Sequence, residues 1–294
     1  MTDILRGKPI VDELRSSLKA RVAYLKAKDI VPTLATVRVG TREDDIAYEA
    51  TATRMIESVD ARIMKLVLDA EVTQEELIST LRLLNTDDNV HGILLFKPLP
   101  SHLDEDTISN RIDVRKDVDG ITDLSMSSIY AISPKDFIGK SGHVHLKHGY
   151  APCTAEAVIK MLDHYNIDIS GKSVCVIGRS LVIGKPVSHL LTARNATVTM
   201  CHTGTKDVAA IAKHADILVA ASGQGYSVDR TYMKEGSTIV DVGIHVDDDG
   251  NLYGDVVTSE AIDFVSAISP VPFGIGSITS ITLVEHTVIS AEQI

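Results

Sequence analysis

Two short stretches hold residue types that could carry chemistry. In DIAYEATATR, residues 45–54, Tyr48 offers a phenol and a ring face for stacking. Positions four apart share a helix face, so the next group along that face is Ala52, which can move no proton. In VCVIGRSLVIGKP, residues 174–186, Gly178 ends an apolar run and Gly184 opens a helix-forming stretch. Amides at a helix N-terminus, approached closely because a glycine has no side chain, hold a phosphate. The fit to GxGxxG is partial, since Ser180 stands at the second glycine, and any strand-to-helix turn can carry two glycines without a ligand.

These residues need elements to position them. Ile10, Leu14, Leu18, Val22 and Leu25 recur every three to four positions and predict a helix over about residues 8–27. TLATVRVG, RIMKLVL and HGILLFKPLP read as strands, and TQEELISTLRLLN as a helix whose Thr73 and Glu76 have capping-box spacing. The alternation begins again at SVCVIG, through GKPVSHLLTAR, TVTMC, VAAIAKHA, DILVAAS and STIVDVG, with the rhythm of a doubly wound dinucleotide-binding domain. The fold class is therefore α/β in two domains: an N-terminal α/β substrate domain and a Rossmann-like doubly wound NAD(P)-binding domain.

Between them, YAISPKDFIGKSGHVHLKHGY, residues 130–150, mixes glycine, proline and charge and reads as a connection. His143, His145 and His148 lack an acidic or cysteine ligand set around them, so the expectation is a solvated loop and no metal. VDDDGNLYGD lacks calcium-loop spacing and reads as a surface turn.

The 294 residues suit two cores, and 29 Lys+Arg against 40 Asp+Glu give a net charge of −11. Without a basic stripe, nucleic acid and anionic membranes are poor partners. No apolar run spans a bilayer, and MTDILRGKPIVDEL lacks a leader's pattern, so the expected location is cytoplasmic. Cys153, Cys175 and Cys201 are widely spaced and read as reduced thiols.

VGTREDDIAYEA, HGILLFKPLP, KDVDGITD, PCTAEA, GRSLVIGKPV, TVTMCHTGT, DVGI, YGDV and SPVPFGIGSIT, in this order over nearly the whole chain, resemble the methylenetetrahydrofolate dehydrogenase/cyclohydrolase family of one-carbon metabolism. The resemblance implies a folate-binding domain over 1–121, an NAD(P)-binding domain over 122–276, a cleft between them, and a C-terminal helix over 277–294 packing back on the first domain. It also implies a homodimer in a pathway that feeds purine biosynthesis. Tyr48 would lie against the aminobenzoyl ring of tetrahydrofolate and Asp119 would hydrogen-bond the pterin; these two are the candidate catalytic residues. Phe96, Pro98, Leu99, Pro270, Phe273 and Gly274 would complete the substrate site. Gly178, Arg179, Ser180, Ile183, Gly184, Thr203, Ile244 and Thr279 would bind the cofactor. Read without the resemblance, Tyr48 is an ordinary half-buried tyrosine and Asp119 a turn former before Gly120.

The departures from the family pattern carry the functional distinction. Bifunctional members have lysine where this chain has Ala52 and glutamine where it has Phe96. Hydride loss from the methylene carbon leaves a cation stabilised by two folate nitrogens, which asks mainly for orientation. Ring opening needs water to lose a proton and a nitrogen to accept one, work for a positioned acid/base group. Arg54 is a poor base, and Lys97, next to Phe96, points to the opposite face of a regular strand, although a twist at a strand end near proline leaves it available. The expectation is a dehydrogenase with weak or absent cyclohydrolase activity, relying on a separate enzyme for ring opening. The alternatives are the full bifunctional enzyme and a weakly catalytic folate- or nucleotide-binding protein. The last is favoured by Phe273, which replaces a family glycine. The cofactor is NADP or NAD: no acidic residue ends TVTMC, Arg179 and Lys206 are the basic candidates for a 2′-phosphate, and Gly204, in place of a common basic residue, tilts toward NAD.

Overall fold

The computed structural model describes residues 1–138 and 143–293. The chain divides into two compact units, one of Asp12–Ser128, Leu146–Cys153 and Ser280–Ile294, the other of Met1–Val11, Ile129–His145 and Thr154–Thr279. This differs from a boundary at 121/122. The first residues join the second unit because the strand Asp3–Ile4 pairs in parallel with Ala267–Ser269, a partner too distant for any local pattern to reveal. The C-terminal helix runs Ile275–Gln293; Ile294, the last residue of the expected helix, lies outside the described residues.

The unit containing Tyr48 is built on a 3-stranded parallel sheet in the order Arg62–Leu68, Thr33–Val39, Gly92–Leu95. The central strand is buried along its whole length, as a strand covered on both faces must be. Ala35, Val37, Val39, Ile93 and Leu95 share one core with Leu77, Leu81 and Leu84 of the helix Gln74–Thr86, which starts at the expected capping box. Alternation along the strand turns Thr36 to the other face, where its hydroxyl donates to Glu49 Oε1 at 2.7 Å. Glu49 belongs to the helix Glu43–Glu57, whose buried residues are Asp45, Glu49, Ala52 and Ile56. The Ala52 side of that helix is thus committed to packing.

The other unit holds a 6-stranded sheet in the order Asp3–Ile4, Ala267–Ser269, Thr238–Asp241, Ile217–Ala220, Ser173–Ile177, Thr197–Cys201, with every pairing parallel. From Ser173–Ile177 the chain first adds Thr197–Cys201 on one side, then Ile217–Ala220, Thr238–Asp241 and Ala267–Ser269 on the other. That reversal makes a switch point between Ser173–Ile177 and Ile217–Ala220, where the carboxyl ends of parallel strands leave a crevice.

Residues 130–150, expected as a connection, carry short elements of their own. They contain a 3-10 turn, Pro134–Asp136, and the antiparallel pair Phe137–Ile138 and His143–Val144, with 139–142 outside the described residues. His143 is buried, not solvated, and its Nδ1 lies 2.8 Å from Glu156 Oε1 on the helix Cys153–His164. His145 and His148 are exposed. VDDDGNLYGD forms the turn of a hairpin between His245–Val246 and Leu252–Tyr253.

Candidate functional site

At the switch point lies a cavity of about 290 Å³, lined by Gly178, Arg179 and Ser180 on one side and by Ala221, Ser222 and Gln224 on the other, with His202 and Thr203 beside them. Two glycines make it possible. Gly178 has φ +134°, and a β-carbon there would sit 2.1 Å from the Ala221 carbonyl oxygen. A β-carbon on Gly184 would sit 2.2 Å from the carbonyl oxygen of Gly178, so the helix Gly184–Ala193 packs directly on the turn. Ser180 uses its position differently from a glycine: its Oγ accepts from Ile183 N at 3.2 Å and Gly184 N at 3.4 Å, satisfying amides that a helix start leaves unpaired.

Of the residues expected at the cofactor, the structure brings Gly178, Arg179, Ser180 and Thr203 to this cavity. Ile183 and Gly184 stand at the helix start behind it. Ile244 is exposed, and Thr279 donates to Ile275 O on the C-terminal helix; neither is among the lining residues. Ser222, Gln224 and Ser227 line the cavity and were not anticipated. They follow the strand Ile217–Ala220, and the rule that ligands sit at carboxyl ends of strands on both sides of a switch point would have found them.

The second cluster lies in the unit with the 3-stranded sheet. Phe96 N donates to Val37 O at 3.0 Å, which extends the strand Gly92–Leu95 by one residue. The Phe96 ring meets Tyr48 edge to face, with centroids 5.8 Å apart. Burial, with the nearby Asp119 and Cys153, pushes the Tyr48 phenol well above its ordinary range. Asp119 is itself pushed up to about 6, first by burial and then by Asp117, against a hydrogen bond from the Cys153 thiol. Asp117 shapes that loop: its carboxylate accepts from Ile121 N, Thr122 N and the hydroxyls of Thr122 and Ser125. Cys153, a sulfur donor beside Asp119, was not anticipated as part of the cluster.

The remaining expected residues have structural partners. Pro98 O accepts from Arg42, and Leu99 N donates to Glu105 Oε2. Lys97 Nζ lies 3.1 Å from Glu105 Oε1. Arg54 is exposed and donates to Thr51 Oγ1. Pro270, Phe273 and Gly274 belong to the other unit, where Phe273 O accepts from Gly7 N at 2.8 Å. Phe273 takes φ +82°, the conformation a glycine would adopt without strain.

A parallel doubly wound sheet with a glycine-lined cavity at its switch point defines a dinucleotide-binding α/β protein. Similarity specifies it further. The family model described as tetrahydrofolate dehydrogenase/cyclohydrolase, catalytic domain, matches residues 5–119, and that of the family's NAD(P)-binding domain matches residues 152–294. The bifunctional protein FolD of Clostridioides difficile (strain 630) is 42% identical over 285 residues, covering 97% of this chain and 95% of its own. The crystal structure of the bifunctional FolD dehydrogenase/cyclohydrolase of Campylobacter jejuni superimposes with a TM-score of 0.92 at 34% identity, over 100% of this chain and 99% of that one. The Trypanosoma brucei dehydrogenase-cyclohydrolase, solved with NADP and an inhibitor, gives 0.90 at 30% identity over 99% and 98%. The chain belongs to the tetrahydrofolate dehydrogenase/cyclohydrolase family.

Proposed function

We propose that this chain is a methylenetetrahydrofolate dehydrogenase: it oxidises 5,10-methylenetetrahydrofolate to 5,10-methenyltetrahydrofolate, with NAD or NADP as acceptor, and opens the methenyl ring weakly or not at all. The hydride leaves the methylene carbon with its electron pair, the folate nitrogens carry the resulting positive charge, and no proton is transferred. The bound dinucleotide supplies the acceptor. Gly178 and Gly184 keep the backbone low beneath the cavity, and Arg179 brings a cation to its rim. Tyr48 and Phe96 offer ring edges to an aromatic substrate, and Asp119 offers an acceptor to a pterin N–H when ionised. Gly204 favours NAD over NADP. The working unit is a homodimer, and a separate cyclohydrolase consumes the product.

One observation carries the distinction between one activity and two: Ala52 and Phe96, 1% and 5% exposed, are buried hydrocarbon side chains, and the Phe96 ring is spent on its contact with Tyr48. Proton transfer by a positioned group is worth about a hundred- to ten-thousand-fold in rate, and these positions supply none. The test gives purified protein methylenetetrahydrofolate with NAD+ or NADP+, then methenyltetrahydrofolate alone. Hydride transfer with ring opening near the solvent rate is expected; ring opening far above that rate overturns the reading.

The second reading is the bifunctional enzyme, favoured by the similarity to bifunctional FolD proteins, with water or Lys97 covering the proton transfers. The ion pair of Lys97 with Glu105 stands against it. A third reading, a binding protein without turnover, rests on Phe273 and is rejected by hydride transfer to either dinucleotide.

A further inference from the structure

Asp255 is completely buried, yet its carboxylate is fully engaged. Oδ2 accepts from Ser222 N at 2.6 Å, Ser222 Oγ at 2.9 Å and Gly223 N at 3.1 Å. Oδ1 lies 2.8 Å from Nε2 of His245. One oxygen holds the loop that follows the strand Ile217–Ala220, and the other is held by the hairpin that begins at His245–Val246.

The backbone around Asp255 is secured in turn by Asp241, whose Oδ1 accepts from Asp255 N and Gly243 N, both at 3.1 Å, and whose Oδ2 accepts from Val256 N at 3.0 Å. The packing leaves no slack. A β-carbon on Gly243 would sit 2.2 Å from Asp255 Oδ1, and one on Gly254 would sit 1.9 Å from Asp241 Oδ2. The far end of the loop is held by rings: Tyr226 stacks on Tyr253 at 4.5 Å, and Tyr253 tilts over His245 at 5.2 Å. A β-carbon on Gly225 would meet the Tyr253 ring at 2.3 Å.

Ser222, Gln224 and Ser227 of this loop line the cavity; Asp255, His245 and Tyr253 are not among its lining residues. From this geometry we infer that Asp255 and His245 are positioning residues for dinucleotide binding: they set the wall opposite Arg179 without touching the ligand. The inference rests on the reading of that cavity as the dinucleotide site. His245 orients the carboxylate so that its other oxygen faces the loop, and the loop presents its hydroxyls and amides at a fixed distance from Gly178. Loss of the histidine leaves a buried acceptor unpaired, and the carboxylate is then free to turn away from Ser222.

The test measures NADH and NADPH binding to the full chain by calorimetry, alongside steady-state kinetics and thermal melting. His245→Ala raises the dissociation constants of both dinucleotides about tenfold, the cost of one buried hydrogen bond, and raises the KM for NAD(P)+ with them. The rate at saturating dinucleotide and the KM for folate stay within about twofold of the parent, because the chemistry is untouched. His245→Gln, which restores an N–H at comparable reach, recovers most of the affinity. Asp255→Asn keeps one oxygen acceptor for the loop but loses the charge that strengthens its bonds to Ser222 and Gly223, and weakens binding of both dinucleotides. Unchanged dinucleotide affinity in a folded His245→Ala overturns the positioning role, as does a fall in rate and folate affinity parallel to the loss of stability. Parent protein that binds neither dinucleotide overturns the assignment of the cavity itself.

Discussion

Tyr48 and Phe96 meet edge to face, their ring planes at 84°, across the gap between the helix Glu43–Glu57 and the end of the strand Gly92–Leu95. Phe96 stands where the resemblance puts the glutamine of bifunctional members, and its ring is spent on that contact. Ala52 is buried on the same helix, on the side that also carries Asp45 and Glu49, so a lysine introduced there is crowded and still lacks the amide that the resemblance pairs with it. Ala52→Lys alone therefore leaves methenyltetrahydrofolate hydrolysis within about tenfold of the parent, and overpacking lowers stability by about 1–3 kcal/mol. Ala52→Lys combined with Phe96→Gln raises hydrolysis about a hundredfold, the lower end of what a positioned acid/base group supplies. A single-site change that matched the double variant would show that Phe96 is not the obstacle.

Asp119 gives the substrate site a pH dependence. Burial raises its carboxyl to about 6, from an ordinary value of 3.8. Below about pH 6 the group is neutral and loses the charge with which it accepts from a pterin N–H, so the KM for folate rises about tenfold between pH 7 and pH 5. Asp119→Asn raises the KM at pH 7 and flattens the profile. The sign for folding is the reverse of that for binding. A raised folded value means that the neutral form is favoured on burial, a stabilisation fully present below about pH 4 and lost as pH climbs through about 6. The stability gap between Asp119→Asn and its parent should accordingly widen from about pH 4 to about pH 6 and level off above that in urea titrations.

How much of this was legible in the sequence depends on how local the determining contacts are. The capping box at Thr73 and Glu76 lies within one turn and was read correctly, as was the strand-and-helix alternation, because burial imposes its period on neighbouring residues. The strand Asp3–Ile4 was missed because two residues carry no period and their partner is at Ala267 and Ile268. His143 was misread as solvated because its partner Glu156 lies on a later helix, and nothing in the spacing of three histidines announces it. Half of the cavity was visible in the glycines that its backbone requires. The other half, Ser222 to Ser227, is set by the distant Asp255 and Tyr253, which no motif along the loop records.

Phe273 carries a backbone cost that can be measured. At φ +82° its β-carbon crowds the following carbonyl, a strain of about 1–2 kcal/mol in this region. The side chain is 68% exposed, so little packing offsets it. Phe273→Gly relieves the strain at the expense of a more flexible unfolded chain, about 0.4–1 kcal/mol. The balance is a rise in melting temperature of about 1–3 °C. Phe273→Ala keeps the β-carbon and gains nothing, which separates the backbone effect from removal of the ring. Scanning calorimetry of the three proteins decides it, and a drop in melting temperature for the glycine variant would mean that the ring stabilises the loop after all.

Gly178 and Gly223 both have positive φ, yet substitution should divide them sharply. A methyl group on Gly178 would reach 2.1 Å from the Ala221 carbonyl oxygen, just beyond the neighbouring strand, and a clash with backbone cannot be relieved by side-chain rotation. Around Gly223 nothing lies within 4 Å of the added carbon, so only the conformational cost of about 1–2 kcal/mol remains. Gly178→Ala should therefore push the turn into the cavity, destabilise the protein by well over 2 kcal/mol and abolish dinucleotide binding. Gly223→Ala should melt a few degrees early and still bind, with affinity reduced through the loop alone. Parallel melting curves and NADH titrations provide the comparison. If Gly178→Ala bound NADH as the parent does, the cavity at the switch point would not be the dinucleotide site.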